Sequence, residues 1–133
     1  MAAHRIPYFA TATVAYPEDL YAKLKKAKQT EGFRLIHYLS PCPVGWKTDS
    51  SMMVTLSRLA VQSRVFPLYE VEHGEDYRLS ENPDPIPVDD YLKKQGRFSH
   101  LGKEDMEQVQ KDVDHEWKRL MRTIGAGAPT SDL

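Results

Sequence analysis

The sequence predicts an α/β fold: a small, mainly parallel sheet flanked by helices, with a β-hairpin and a long C-terminal helix. Three observations predict it: a strand–helix–strand succession in the first 39 residues, two strand-like segments around a glycine, and an apolar stripe at helical spacing near the C-terminus. The length of 133 residues fits one domain. We expect a single α/β domain or domain fragment over residues 1-124 and a flexible tail at 125-133.

The first predicted elements form a βαβ unit. Residues 8–13 (YFATAT) are short, aromatic and rich in threonine, as expected of a strand. Pro17 and the acidic residues after it are typical of a helix start, and Gly32 is placed to end a helix that reaches about residue 30. The nearly continuous apolar run 33–39 (FRLIHYL) predicts a strand buried on both faces of a parallel sheet.

The helix of this unit has a predicted inner face and a basic face. Leu20, Leu24 and Ala27 recur at helical spacing and should face the sheet. Four lysines crowd the second half of the helix: Lys23, Lys25, Lys26 and Lys28. We interpret them as a solvated face, with docking of an acidic partner such as ferredoxin as the alternative.

The middle of the chain adds a helix and a hairpin. Asp49 is a predicted N-cap for a helix that reaches about residue 64, with Met53, Leu56 and Ala60 on its inner face. Residues 66–80 then form two strand-like segments on either side of His73 and Gly74, which predicts a β-hairpin.

The C-terminal third is predicted to be helical after a proline-rich connector. The connector covers 82–87, and a short helix over 88–95 should end at Gly96. A long amphipathic helix is predicted over 103–124. Its apolar stripe consists of Met106, Val109, Val113, Trp117, Leu120 and Ile124.

Composition and charge exclude several classes of function. Eighteen basic residues against nineteen acidic ones give a net charge of -1, which offers no general electrostatic reason to bind nucleic acid or an anionic membrane. No stretch approaches the roughly 18 apolar residues of a membrane span, and the opening residues lack the apolar core of a secretory signal. We therefore expect a cytoplasmic location.

The most informative segment for chemistry is the loop 40–46 (SPCPVGW). It contains Cys42, the single cysteine of the chain, between two prolines that stiffen the loop, and it leaves the carboxyl end of a predicted parallel strand. Three interpretations are open: an inert buried thiol, a thiolate nucleophile partnered by His37, and one ligand of a four-iron four-sulfur cluster. Because a cluster needs four thiolates, the other three would come from outside this chain.

Other acidic residues have simpler interpretations. The turn that contains His73 is rich in carboxylates, at positions 70, 72, 75 and 76, and could be imagined as a metal site. An exposed hairpin with solubilising charges explains it better. The sequence contains no glycine-rich phosphate loop and no GDG motif, so nothing in it is expected to hold a diphosphate and its magnesium.

Several tracts, taken in order, resemble a known family. They are residues 6–20 (IPYFATATVAYPEDL), 36–46 (IHYLSPCPVGW), 59–61 (LAV), 66–72 (FPLYEVE), 87–92 (PVDDYL) and 95–101 (QGRFSHL). Their combination is similar to the C-terminal portion of the beta subunit of pyruvate and related 2-oxoacid:ferredoxin oxidoreductases, over about residues 3 to 101.

The resemblance implies a fold, cofactors and a role for Cys42. The family's beta subunit has the thiamine-diphosphate-binding fold and carries thiamine diphosphate with Mg and a 4Fe-4S cluster. Cys42 would be the fourth ligand of that cluster, while the other three cysteines and the GDG segment are absent from these 133 residues.

The expected function is therefore that of a component. It would take part in the oxidative decarboxylation of a 2-oxoacid, with pyruvate as the first expectation, to acyl-CoA with transfer of electrons to ferredoxin. We expect the chain alone to bind neither cofactor and to be inactive without the remaining part of the beta subunit and the other subunits. Two other classes stay open: a non-catalytic assembly module of the same fold, and a thiol enzyme that uses Cys42.

Overall fold

A computed structural model describes residues 4–126 and contains a four-stranded sheet with the strand order β2-β1-β3-β4. The strands are β1 (Tyr8–Thr13), β2 (Arg34–Leu39), β3 (Tyr69–Glu72) and β4 (Asp76–Leu79). Every residue of β1 is buried, as expected for a central strand whose residues are aromatic, β-branched or small. The α/β class predicted from the sequence is confirmed.

The sheet is mixed, and its parallel part is the predicted βαβ unit. β1 and β2 pair in parallel, whereas β3 pairs antiparallel with β1 and with β4. The antiparallel pairing of β3 with β4 follows from the tight turn between them. His73 and Gly74 in this turn both have positive φ, the conformation that tight hairpin turns favour. Two of the three pairs are therefore antiparallel, and the expected "mainly parallel" order holds only for β1 and β2.

The helix α1 (Pro17–Gln29) has the predicted bounds to within one residue, but it faces the sheet differently. Lys23 and Ala27 are its buried residues, while the side chain of Leu24 is 51% exposed. Lys23 tolerates burial because its ammonium donates to the carbonyl of Thr11 at 2.9 Å and to Asp19 at 2.7 Å. The prediction that Leu24 faces the sheet and that Lys23 is solvated was wrong.

Strand β2 lies at an edge of the sheet and is not buried on both faces. It pairs only with β1, and none of its six residues is buried. Two of the large apolar side chains in the run 33–39 are well exposed: Phe33 is 58% and Tyr38 is 42% exposed. The expectation of burial on both faces fails because β2 is an edge strand: within the described residues nothing pairs with its outer edge, and Leu35, Ile36 and Leu39 are only partly buried.

The main apolar core lies among three helices: α3 (Met53–Gln62), α4 (Val88–Leu92) and α5 (Lys103–Ala126). Asp49 does act as a cap, but of a short 3-10 turn that precedes α3, where its carboxylate accepts from the backbone N–H of Ser51 at 2.8 Å. The buried core residues are Leu56, Ala60, Val88, Tyr91, Leu92 and Met106.

The long C-terminal helix confirms the predicted stripe. All six stripe residues are buried or partly buried in α5, which extends two residues beyond the predicted end at 124. The remaining residues of the predicted flexible tail, 127–133, lie outside the described part of the chain. No helix among the described residues combines the length and apolar character that a membrane span needs.

Candidate functional site

Cys42 begins a short helix where the sequence predicted only a loop. The helix α2 (Pro43–Trp46) starts with proline at its first position, and Cys42 is its N-cap residue with an extended backbone. The carbonyl of Cys42 accepts from the N–H of Trp46 at 2.8 Å, and its Sγ accepts from the N–H of Gly45 at 3.5 Å. The single turn therefore fixes both the backbone and the sulfur of Cys42.

The Cys42 turn lies beyond the carboxyl end of the parallel strand pair. β2 ends at Leu39, whose carbonyl accepts from the Thr13 hydroxyl at 3.2 Å at the matching end of β1. Pro41, between β2 and the thiol, is buried, while Cys42 itself is exposed. Open α/β sheets place their ligands at this end of their strands, so the sulfur lies where an external group can reach it.

This geometry decides against two of the three interpretations of Cys42. An inert buried thiol is wrong, because the residue is exposed. A nucleophile partnered by His37 needs that base within hydrogen-bond reach, and the only hydrogen bond to Sγ among the described residues comes from the backbone of Gly45. His37 instead packs edge-on against Phe66 with ring centroids 5.2 Å apart.

The residues fit the remaining interpretation as one ligand of a cluster. The exposed thiol of Cys42 is accessible to a metal centre, and hydrogen bonds to ligand sulfurs, such as that from the N–H of Gly45, are one of the features that tune cluster potential. No group of three or more His, Cys, Asp or Glu side chains that could hold a metal ion occurs in residues 4–126. Three further ligands would have to come from elsewhere.

The Cys42 turn is held against the segment that follows α4. The indole of Trp46 packs edge-on against the buried ring of Tyr91, with centroids 6.4 Å apart. Lys47, which ends α2 in the left-handed conformation, accepts a backbone hydrogen bond from Gly96 at 3.1 Å. The sequence did not predict these contacts. Residues 95–101 stood out only as one of the tracts that resemble the family, and nothing in the sequence placed them next to the Cys42 turn.

A second polar cluster joins α1 to the hairpin and has a structural explanation. Lys26 donates to Glu70 and to Glu72, each at 2.7 Å, and the hydroxyl of Tyr8 donates to Glu70 at 2.8 Å. Burial alone would raise the pKa of Glu70, but hydrogen bonds from Lys26 and Tyr8 outweigh it and hold that pKa below its ordinary value. These two carboxylates are therefore engaged in ion pairing and are not solubilising surface charges.

Comparison with known proteins finds relatives over most of the chain. No family model matches the chain. It is 49% identical over 123 residues to the ketoisovalerate oxidoreductase subunit VorB of Pyrococcus horikoshii and 47% identical over 121 residues to the pyruvate synthase subunit PorB of Methanocaldococcus jannaschii. It is also 39% identical over 127 residues to the pyruvate synthase subunit PorB of Thermotoga maritima. These alignments cover 90%, 90% and 91% of this chain.

These relatives confirm the resemblance drawn from the sequence. The chain is homologous to the beta subunits of 2-oxoacid:ferredoxin oxidoreductases. It spans about two fifths of the length of these relatives, 39% of the VorB subunit and 40% of the M. jannaschii PorB subunit.

Proposed function

We propose that this chain is one component of a 2-oxoacid:ferredoxin oxidoreductase and is inactive alone. The observation that carries the proposal is 46–49% identity, over about 90% of the chain, to subunits of ketoisovalerate oxidoreductase and pyruvate synthase. The complete enzyme would decarboxylate a 2-oxoacid, such as pyruvate, to acyl-CoA and pass the electrons to ferredoxin. A chain with one cysteine and no GDG motif cannot assemble the cofactor sites by itself.

The part of the reaction assigned to this chain is electron exit through Cys42. When bound in the complete enzyme, thiamine diphosphate with Mg supplies the electron sink for decarboxylation and the 4Fe-4S cluster accepts single electrons. The role of Cys42 would be to supply one thiolate ligand to that cluster. The stiff turn between Pro41 and Gly45 and the N–H directed at Sγ support this role.

A Cys42→Ser substitution tests the ligand assignment. The assembled enzyme should be purified anaerobically, and its iron content, electron paramagnetic resonance spectrum and ferredoxin reduction compared with those of the wild type. We expect the variant to lose or alter one cluster, because serine oxygen is a harder ligand than thiolate. Ser40→Ala, two residues away on the same loop, is the matched control and should leave the spectrum unchanged. An unchanged cluster spectrum with unchanged ferredoxin reduction in Cys42→Ser would refute the assignment.

The partner we propose for this chain is the remaining part of the beta subunit, which docks along the open edge of β2. The relatives are about two and a half times as long as the aligned region, so a large part of such a subunit is available to cover that edge. Nothing among the described residues pairs with the outer edge, and its apolar residues Phe33 and Tyr38 are exposed. The apolar side chains and the unpaired outer edge of β2 are what we expect if a strand from the rest of the subunit pairs with that edge.

Hydrogen exchange tests this docking. The outward-pointing amides of β2, which do not bond to β1, should exchange rapidly in the chain alone and become protected when the rest of the subunit is added, because a newly paired edge withdraws its N–H groups from water. The hairpin turn at His73 and Gly74 serves as an internal control that should not change. Binding without new protection of β2 would contradict the proposed surface. Absence of both binding and a Cys42-dependent cluster would favour a non-catalytic module of the same fold.

A further inference from the structure

The side chain of Arg97 is stacked on the Cys42 turn. Its guanidinium carbon lies 4.0 Å from the centroid of the Trp46 ring and 4.6 Å from that of Phe98. Trp46 is one helical turn from Cys42, since its N–H donates to the carbonyl of that residue. The cation–π contact therefore connects Arg97 directly to the element that fixes the thiol.

A buried amide holds the guanidinium in this position. Gln95 is 1% exposed, and its Oε1 accepts from two nitrogens of Arg97, Nε at 3.0 Å and an Nη at 2.7 Å. Its Nε2 donates to the carbonyl of Tyr91 at 3.0 Å, which anchors the amide in the helical core. The buried Gln95 amide therefore orients the guanidinium of Arg97 through hydrogen bonds within the protein.

The two segments also meet through their backbones. The N–H of Gly96 donates to the carbonyl of Lys47 at 3.1 Å. A side chain at Gly96 would place its Cβ 2.8 Å from that carbonyl oxygen, closer than real Cβ contacts allow. A small residue before Arg97 is therefore what lets the guanidinium reach the Trp46 ring.

The charge of Arg97 is not neutralised locally. Within the part of the chain that the structure describes, Arg97 forms no ion pair with a carboxylate, and its hydrogen-bond acceptor is the neutral amide of Gln95. Arginine stays protonated at all relevant pH values. A fixed positive charge therefore lies on the turn that presents Cys42.

We propose that Arg97 is a positioning residue for Cys42 and that its charge raises the reduction potential of the cluster bound there. The inference rests on the proposed function, in which Cys42 is a cluster ligand. Gain of an electron makes a cluster more negative, and a nearby cation favours that form over the oxidised one. The stack on Trp46 keeps the charge and the sulfur in one rigid unit.

The test compares three arginine variants in the assembled enzyme by redox titration followed by electron paramagnetic resonance. Arg97→Met removes the charge and keeps much of the side-chain volume, so the potential of the Cys42-dependent cluster should become more negative. Arg97→Lys keeps the positive charge but lacks the planar guanidinium, so the reduction potential of the cluster should return toward the wild-type value. The cluster of this variant should still be lost to a chelator faster than that of the wild type. Arg122→Met, an exposed site on α5, is the matched control and should behave as wild type.

The outcomes separate this inference from the proposed function. If Cys42→Ser abolishes the cluster but Arg97→Met leaves its potential and chelator resistance unchanged, the role of Arg97 is refuted and the ligand assignment stands. A cluster that is indifferent to Cys42→Ser refutes the ligand assignment on which the inference rests. If Arg97→Met does not assemble, Arg97→Gln replaces it as the uncharged variant, and an unchanged potential in that variant refutes the inference equally.

Discussion

Substitution of Gly96 by alanine is the sharpest single test of how the Cys42 turn is held. The new Cβ would lie 2.8 Å from the carbonyl oxygen and 2.9 Å from the Cβ of Lys47, so one of the two segments must move. Overpacking of this kind costs about 1–3 kcal/mol, and the hydrogen bond from Gly96 to Lys47 would be strained as well. Alanine also restricts the unfolded chain more than glycine does, which offsets roughly 0.4–1 kcal/mol of this loss in stability. We expect a net loss of about 1–2 kcal/mol in the free energy of unfolding.

Urea unfolding followed by tryptophan fluorescence is the assay. The chain has two tryptophans, and Trp46 lies on the displaced turn, so its native emission should change together with the unfolding midpoint. Gly125→Ala is the control, since a Cβ at Gly125 meets nothing within 4 Å. It lies in the last turn of α5, so the substitution should stabilise the chain by less than the roughly 0.5–1 kcal/mol expected in the middle of a helix. Equal stability and unchanged Trp46 emission in Gly96→Ala would refute the contact.

Three further predictions concern the core, the ion pairs and the thiol. Leu56→Ala in the buried core should lower the free energy of unfolding by about 2–5 kcal/mol in urea titrations, and the exposed control Val54→Ala by much less. The pKa of Glu70 is held below its ordinary 4.5, so its contribution to stability is present above pH 4.5 and is lost as the pH falls through the lowered pKa. Lys26→Met should weaken that acid dependence of the urea midpoint, and an unchanged profile would contradict the pairing. Cys42 is exposed, so a thiol reagent should modify the native chain within about tenfold of its rate in urea; stronger protection would contradict the exposure.

Local signals in the sequence predicted most elements because each is specified by nearby residues. Proline at the first position and acids in the first turn defined the start of α1, and the 3.6-residue stripe defined α5. The hairpin followed from the glycine between two strand-like runs, and the structure places His73 and Gly74 in the left-handed conformation there. These features need no information from the rest of the fold.

The errors occurred where distant contacts decide. Lys23 is buried because Asp19 and the carbonyl of Thr11 satisfy its ammonium, which a helical stripe of leucines does not reveal. The apolar composition of β2 indicates a neighbour on each side, but the described residues provide only β1. The four-residue helix α2 is too short for periodicity to detect.

The candidate site was only partly predictable for the same reason. Cys42 stood out because prolines flank it after a predicted strand, and the resemblance gave it a role. Its support could not be read from the sequence, because Trp46, Gly96 and Arg97 belong to segments about fifty residues apart that meet only in the fold. The sequence therefore identified the thiol, and the structure identified what holds it.

The most direct test of the central claim is to look for iron next to the sulfur position of Cys42. Because the chain has one cysteine, growth with selenocysteine in its place puts selenium at position 42 alone. The labelled chain would be reconstituted anaerobically with the rest of the oxidoreductase and studied by X-ray absorption at the selenium edge. A cluster ligand predicts iron in the first coordination shell of selenium. A spectrum of the reconstituted, cluster-containing enzyme with carbon as the only neighbour would contradict the claim.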